Sequence, residues 1–371
     1  MAVTLLFCTR PVMTASQEPQ TANAATQTIS LAIFTSGVTA YKRQGWTNFA
    51  PIAFGTRLQL GDLLKIGEAS NLKVVCADIT LHELSTGITG SPCPQSSGVL
   101  IGSDGSLINV TRAANAFYPV VLSPRKTKLL SNLPRLSWMP VDGAQTYTIM
   151  VRGFNLAWAA RTSATQLTYP ADAPQLKPGN DYKLVVQTGN RSSEEEPGNK
   201  LGFSIISAEE RKAVEREQRQ IETLGLPEGP ALFLTAYLLR SHGLEAEAIE
   251  KLEAALKGFK EPAVARLLGD CYLEVGLVRK AEESYLKALE MTTRGSDEDG
   301  EAMAHLMLGD VVYRRAFGNK KEAALHLNAA LTAARIVGDA VVADQASKAL
   351  AELELSNHTT GTGIPPAREQ F

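Results

Sequence analysis

Residues 263–289, AVARLLGDCYLEVGLVRKAEESYLKAL, place small and apolar side chains at helical spacing on both sides of one glycine, Gly276. Leu267, Gly269 and Tyr272 before Gly276, and Ala281, Tyr285 and Ala288 after it, fall at the spacings of two antiparallel helices joined by a tight turn. Gly269 and Ala281 let the paired axes approach, and Tyr272 and Tyr285 fill the space toward a neighbouring pair. Such a hairpin leaves an apolar face uncovered and is stable only when stacked on others of its design. Residues 232–256 repeat the spacing through Ala236, Gly243, Ala248, Leu252 and Ala255. Residues 302–331 repeat it through Gly309, Val312, Ala323, Leu327 and Ala330, with a turn lengthened around Phe317-Gly318. The segment RGSDEDG, 294–300, stretches the step between the second and third hairpins and reads as a surface loop.

At 371 residues the chain exceeds a single ordinary core, so several domains are expected. A hydrophobic fraction of 44% beside 20% charged residues is that of a globular protein. A formal net charge of -2 offers no attraction to phosphate backbones, so no nucleic-acid partner is expected. No run of apolar residues is long enough for a transmembrane helix.

The three hairpins resemble tetratricopeptide repeats. That resemblance implies a solenoid whose first helices line a concave groove for a protein or peptide partner. Carried onto this sequence, the groove positions are Phe233, Tyr237 and Arg240, then Arg266, Asp270 and Glu274, then Asp310, Tyr313 and Arg314. The set is amphiphilic and of mixed charge, without a basic clamp for a C-terminal carboxylate. Two occupants stay open: a separate polypeptide, or the chain's own linker helix or tail. The linker helix occupies 207–226, where Ser207 and Glu210 form a capping box and Val214 and Ile221 are the scarce apolar contacts. The repeats with a capping helix extend over 227–355, and 356–371 is a disordered tail.

The preceding half has a different period. Short apolar runs broken by glycine (ISLAIF, GVTAYKR, TRLQLGDLLKIG, NLKVVCADITLHEL) read as strands of an all-β module over 28–117. Its GTRLQLGDLL core, from Gly55, with TAYKR before it and LKVVCAD after it, resembles the FecR-like domain of bacterial envelope proteins. The resemblance implies a small curled β-structure outside the cytoplasm; the spanning helix of signalling members is missing here. Asp62, Asp78 and His82-Glu83 read as turn and strand-end residues rather than as an acid-base or metal site. Cys76 and Cys93 lie in this one module, and a disulfide between them closes a glycine-rich loop at a gain of roughly 3 kcal/mol, given an oxidising compartment. The other state is a pair of thiols. Cys271 falls on a repeat helix as a small apolar residue, and no C-x-x-C offers a zinc site.

Residues 118–206 form a second β-module. LSW at 136–138, the Asp142-Gly143 turn, the strand from Tyr147, and LKPGNDY at 176–182 resemble a fibronectin type III sandwich. In that likeness Trp138 is the core tryptophan, Tyr147 packs beside it and Tyr182 makes the corner hydrogen bond. Trp158 reads as packed on a sheet face, with an exposed binding aromatic as the alternative.

Residues 1–27 combine a short apolar run with an Ala22-Asn23-Ala24 triplet, compatible with a truncated signal peptide, a disordered tail or a lipid anchor at Cys8. No G-x-S-x-G, H-E-x-x-H, P-loop or dinucleotide fingerprint occurs, so no enzyme, cofactor or metal is expected; His242, His305 and His326 are ordinary repeat residues. The expected whole is a multidomain chain, an all-β N-terminal half followed by an all-α solenoid. It serves as a protein-interaction scaffold of the bacterial cell envelope, periplasmic or extracellular, with a cytoplasmic location as the alternative. The alternative function is a self-associating structural subunit of an envelope assembly; a ligand-sensing regulator has only the FecR likeness behind it.

Overall fold

A computed structural model describes residues 30–93, 117–196, 202–293 and 296–358. The expectations for residues 1–27 and for the tail after 358 lie outside the described residues.

In the first module, β1 (Ser30–Ser36), β2 (Thr39–Lys42), β3 (Ala50–Pro51), β4 (Arg57–Leu58), β5 (Leu63–Ile66), β6 (Asn71–Val75), β7 (Leu81–Leu84) and β8 (Gly87–Gly90) form two antiparallel sheets, β4-β1-β6-β7 and β3-β2-β5-β8. Ala32, Leu58, Leu72 and Val74 from one sheet and Tyr41, Leu64 and Ile66 from the other fill the space between them. β1 does not alternate. Its first four residues are all buried, because Leu31 and Ile33 on its second face pack into the core of the helical array. Cys76 and Cys93 are joined at a Cα separation of 5.4 Å, tying the end of β6 to the chain beyond β8. Asp62 accepts from Gln59 N–H at 2.8 Å and Asp78 from Thr80 N–H at 3.1 Å, both as local turn caps. Cys93→Ser is expected to cost roughly 3 kcal/mol in denaturant unfolding, the loop-closure value, and the wild type in strong reductant should match it.

The second module holds β9 (Val121–Ser123), β10 (Thr127–Leu129), β11 (Arg135–Trp138), β12 (Tyr147–Gly153), β13 (Leu156–Thr162), β14 (Gln166–Thr168), β15 (Asp181–Thr188), β16 (Arg191–Ser192) and β17 (Gly202–Ile205). The sheet β10-β17-β15-β12-β13, with β16 on β15, faces the sheet β14-β11-β9 across one apolar core. Trp138 lies at its centre, 5.5 Å from the Tyr147 ring, and Tyr182 Oη accepts from Lys177 N–H at 2.7 Å. Trp158 packs against Tyr169 at 4.8 Å.

Among the described residues eight α-helices follow: α1 (Ala208–Thr223), α2 (Glu228–Ser241), α3 (Glu245–Gly258), α4 (Pro262–Glu274), α5 (Val278–Met291), α6 (Glu298–Leu306), α7 (Lys320–Val337) and α8 (Ala340–His358). Ser207 and Glu210 close the capping box of α1 at 3.1 and 2.9 Å, and Val214 and Ile221 bury its inner face in the helical core. A Cβ at Gly269 would stand 2.8 Å from the Tyr285 ring, so only glycine admits this approach of α4 to α5. Three details differ from the sequence expectation. α6 continues as a π-helical stretch, Met307–Phe317, which absorbs the extra residues before the left-handed Gly318. Glu298–Gly300 belong to α6 instead of a surface loop, with Asp297 as its N-cap accepting from Gly300 N–H at 3.1 Å. α8 runs past 355 to His358.

The sandwich and the repeats are seamed along β10. Lys128 N–H donates to the Gly243 carbonyl at 2.7 Å and Leu130 N–H to Glu247 Oε1 at 2.7 Å. Burial in this seam pushes the Glu245 and Glu247 carboxyls up to about 7. A carboxyl whose folded pKa lies above its unfolded value makes stability fall as pH rises from about 4.5 to about 7. Burial lowers His305 to about 4, which imposes the opposite slope between about 4 and 6.5, so a comparison of variants is needed. Unfolding free energies for wild type and Glu247→Gln should diverge between pH 5 and pH 8, the variant losing less on the alkaline side. Parallel profiles would remove the seam carboxyl as the cause.

Candidate partner-binding site

None of the nine expected groove residues is exposed: Phe233, Tyr237, Arg240 and Tyr313 are buried and the other five half-buried. The expected open groove is corrected for the first two hairpins, because the chain's own first β-module packs into it, while the linker helix does not. The Phe54 ring packs 4.9 Å from Phe233 and 4.7 Å from Phe259, the second edge-on. Gly55, at φ +78°, brings backbone against Phe233 and Ala263. Tyr41 Oη donates to Asp299 at 2.8 Å, and Arg43 lies 3.4 Å from Asp299 and 3.9 Å from Asp62.

The charged groove residues are engaged with other residues of the helical half. Arg240 Nε donates to both oxygens of Glu274 at 3.1 and 3.0 Å and its guanidinium lies 3.8 Å from Asp270, which accepts from Tyr285 Oη at 2.6 Å. Burial, with Asp270 beside it, pushes the Tyr285 hydroxyl well up. Arg266 pairs with Asp297, whose carboxyl burial raises. In the third hairpin Asp310 accepts from Arg314 Nε at 2.6 Å and pairs with Arg315, while Arg314 also reaches Glu352. The Tyr313 ring stacks on His326 at 5.3 Å, and His326 meets His305 Nδ1 to Nδ1 at 2.8 Å. These are internal ties.

What stays open is a cleft of about 1420 Å³ between the first module and one end of the helical array. Phe34, Val38, Phe49 and Phe54 form its β wall, Leu232 and Phe259 its helical wall, and Lys257 and Lys260 stand at its rim. Phe34, Val38 and Phe49 are 46%, 71% and 38% exposed. Concave, aromatic-lined clefts between domains are the usual place for a ligand. Sequence reasoning missed it because each of these side chains also satisfies the apolar pattern of a strand or turn. The one available signal is Phe34, whose place in the run ISLAIF leaves an aromatic beyond the two-faced part of β1. Among the described residues no three His, Cys, Asp or Glu side chains converge as metal ligands, and no helix is long and apolar enough to cross a membrane.

The tetratricopeptide repeat family model matches residues 262–336, from the start of α4 into the last turn of α7. That segment is a tetratricopeptide repeat. The helices α2 and α3 lie before the match and continue the same stacking. Among solved structures the chain is similar to BtubC (BKLC) from P. vanneervenii, with 19% identity over 44% of this chain and 79% of that one, at a TM-score of 0.30. It is also similar to MamA, with 15% identity over 42% of this chain and 91% of that one, at a TM-score of 0.27. No curated protein matches the sequence. Tetratricopeptide repeats are in general non-enzymatic protein-interaction modules, and the fold here, a sheet-rich half followed by helices containing the repeat, points to an interaction scaffold.

Proposed function

We propose that this protein is a non-catalytic interaction scaffold whose partner site is the cleft between the first β-module and the tetratricopeptide array, rather than the concave face. The observation that carries this reading is the occupancy of that face by Phe54 and Gly55, beside which three large apolar side chains stay exposed. Phe233 then serves to hold the chain's own module, with Tyr237 packed beside it, while Arg240, Arg266, Asp270 and Glu274 tie the helices together. The disulfide supports an oxidising compartment, and with the FecR and fibronectin likenesses of the β-modules it supports a cell-envelope location.

Replacing Phe34 and Val38 together by aspartate places two charges on exposed positions and is expected to leave folding intact while abolishing partner capture from source-cell envelopes. The pair Leu325→Asp and Val341→Asp, also exposed but on the far helices, should leave capture unchanged. Equal capture by both double variants would place the partner elsewhere.

A further inference from the structure

The edge of β1 is only half covered. On the β4 side Leu31 pairs with Arg57, Ala32 N–H donates to the Thr56 carbonyl at 3.0 Å, and the Ala32 carbonyl accepts from Gly55 N–H at 2.7 Å. At Gly55 the chain turns away toward Phe233 and Ala263. From Phe34 to Ser36, β1 pairs with β6 alone among the described residues, and Ile33, Phe34 and Thr35 line the cleft. An uncovered strand edge beside aromatic side chains is a template for another strand: main-chain hydrogen bonds supply affinity and alternate side chains supply specificity.

We propose that the cleft takes an extended segment of another polypeptide, added antiparallel along Phe34–Ser36 where β4 stops, with an apolar or aromatic side chain among Phe49, Phe54 and Phe259 and a carboxylate facing Lys257 and Lys260. This rests on the cleft being the partner site. Two observations choose the occupant. The seam in which Phe54 joins Phe233 and Phe259 runs on into the cleft wall, so an entering segment extends an interface the molecule already makes. Lys257 and Lys260 are exposed and form no ion pair among the described residues. Of the anions on that wall, Asp297 is committed to Arg266, and neither Glu228 nor Glu261 makes an ion pair with either lysine among the described residues. The charge complement of that rim is an acidic residue beside the apolar anchor.

The test selects a phage-displayed library of random linear peptides on the full-length protein, then synthesises the leading peptide with and without proline at each internal position. Enriched peptides should alternate apolar and polar residues and carry one aromatic with a neighbouring Asp or Glu. Affinity should fall about tenfold or more with Phe34→Ala, and by a similar factor when proline removes a laddering N–H. Lys257→Glu with Lys260→Glu should weaken binding most at low salt, and amides of Phe34–Ser36 should gain hydrogen-exchange protection on binding. Peptides that lose affinity with Phe34→Ala yet tolerate proline everywhere would overturn strand addition and leave the cleft standing as the site. Peptides indifferent to Phe34→Ala, or no enriched peptide, would overturn both. Concentration-dependent dimerisation abolished by Phe34→Ala would replace the separate partner by a second copy of the chain and overturn the assignment.

Discussion

Arg125→Met should cost about 3–5 kcal/mol of stability, the largest effect of any single substitution proposed for this protein. Arg125 and Glu196 are each 1% exposed and are paired through two bonds of 2.8 and 2.6 Å, while the same guanidinium donates to the carbonyls of Val275 and Gly276 in the α4–α5 turn. One side chain thus closes a loop of the sandwich and clamps the sandwich to the repeat. Removing it takes the guanidinium partner from a buried carboxylate and a donor from three carbonyls, those of Val121, Val275 and Gly276. The double variant Arg125→Met with Glu196→Gln removes the orphaned charge and should recover part of the loss, with the unpaired carbonyls retaining about 1–3 kcal/mol of it. Denaturant unfolding of wild type, single and double variants decides the matter. A double variant no better than the single would show that the bonds to the α4–α5 turn dominate, and an unaffected single variant would refute the clamp.

Gly55→Val should cost about 2–5 kcal/mol and release the first β-module from the helices, the sum of two independent penalties. The left-handed backbone at φ +78° costs a non-glycine residue about 1–2 kcal/mol. Overpacking adds about 1–3 kcal/mol, since a Cβ here would stand 2.3 Å from Ala263 Cβ and 3.1 Å from the Phe233 ring. Gly45 separates the two terms. It sits at φ +91° with nothing within 4 Å of its Cβ position, so Gly45→Val should show the backbone cost alone. Hydrogen exchange of Gly55→Val should rise along α2 and α4 while the disulfide-tied core of the β-module keeps its protection. Equal costs at the two glycines would mean that the module does not fill the groove tightly.

Much of the local architecture was legible. The capping box of α1 forms as Ser207-x-x-Glu210 predicts because its bonds close within one turn. The Gly269 approach to α5 follows from helical period alone, since neighbouring turns of a hairpin meet at fixed spacing. Trp138 beside Tyr147, and Tyr182 on Lys177, likewise depend on strand alternation and a short turn. The Cys76–Cys93 bridge needed only two cysteines of one module. In the third hairpin the extra residues before Gly318 were legible, but spacing alone read them as a longer turn and not as the π-helical Met307–Phe317.

The candidate site is the opposite case. Phe54 and Phe233 lie far apart in sequence, as do Tyr41 and Asp299 at a separation of 258 residues, and nothing in the chain near either member marks the other. Phe233, Tyr237 and Arg266 satisfied the spacing of an open groove, and that spacing is indifferent to whether a foreign peptide or the chain's own module covers it. The closest local hint was β1, buried on both faces, for which a continuous apolar run betrays a second layer without naming it. Residue order therefore specified repeats, sandwich and bridge, all stabilised by neighbours within a few turns or strands. Only the docking of the modules decided which surfaces are internal, because burying the groove depends on long-range shape complementarity, and that docking left the Phe34, Val38 and Phe49 cleft as the open surface.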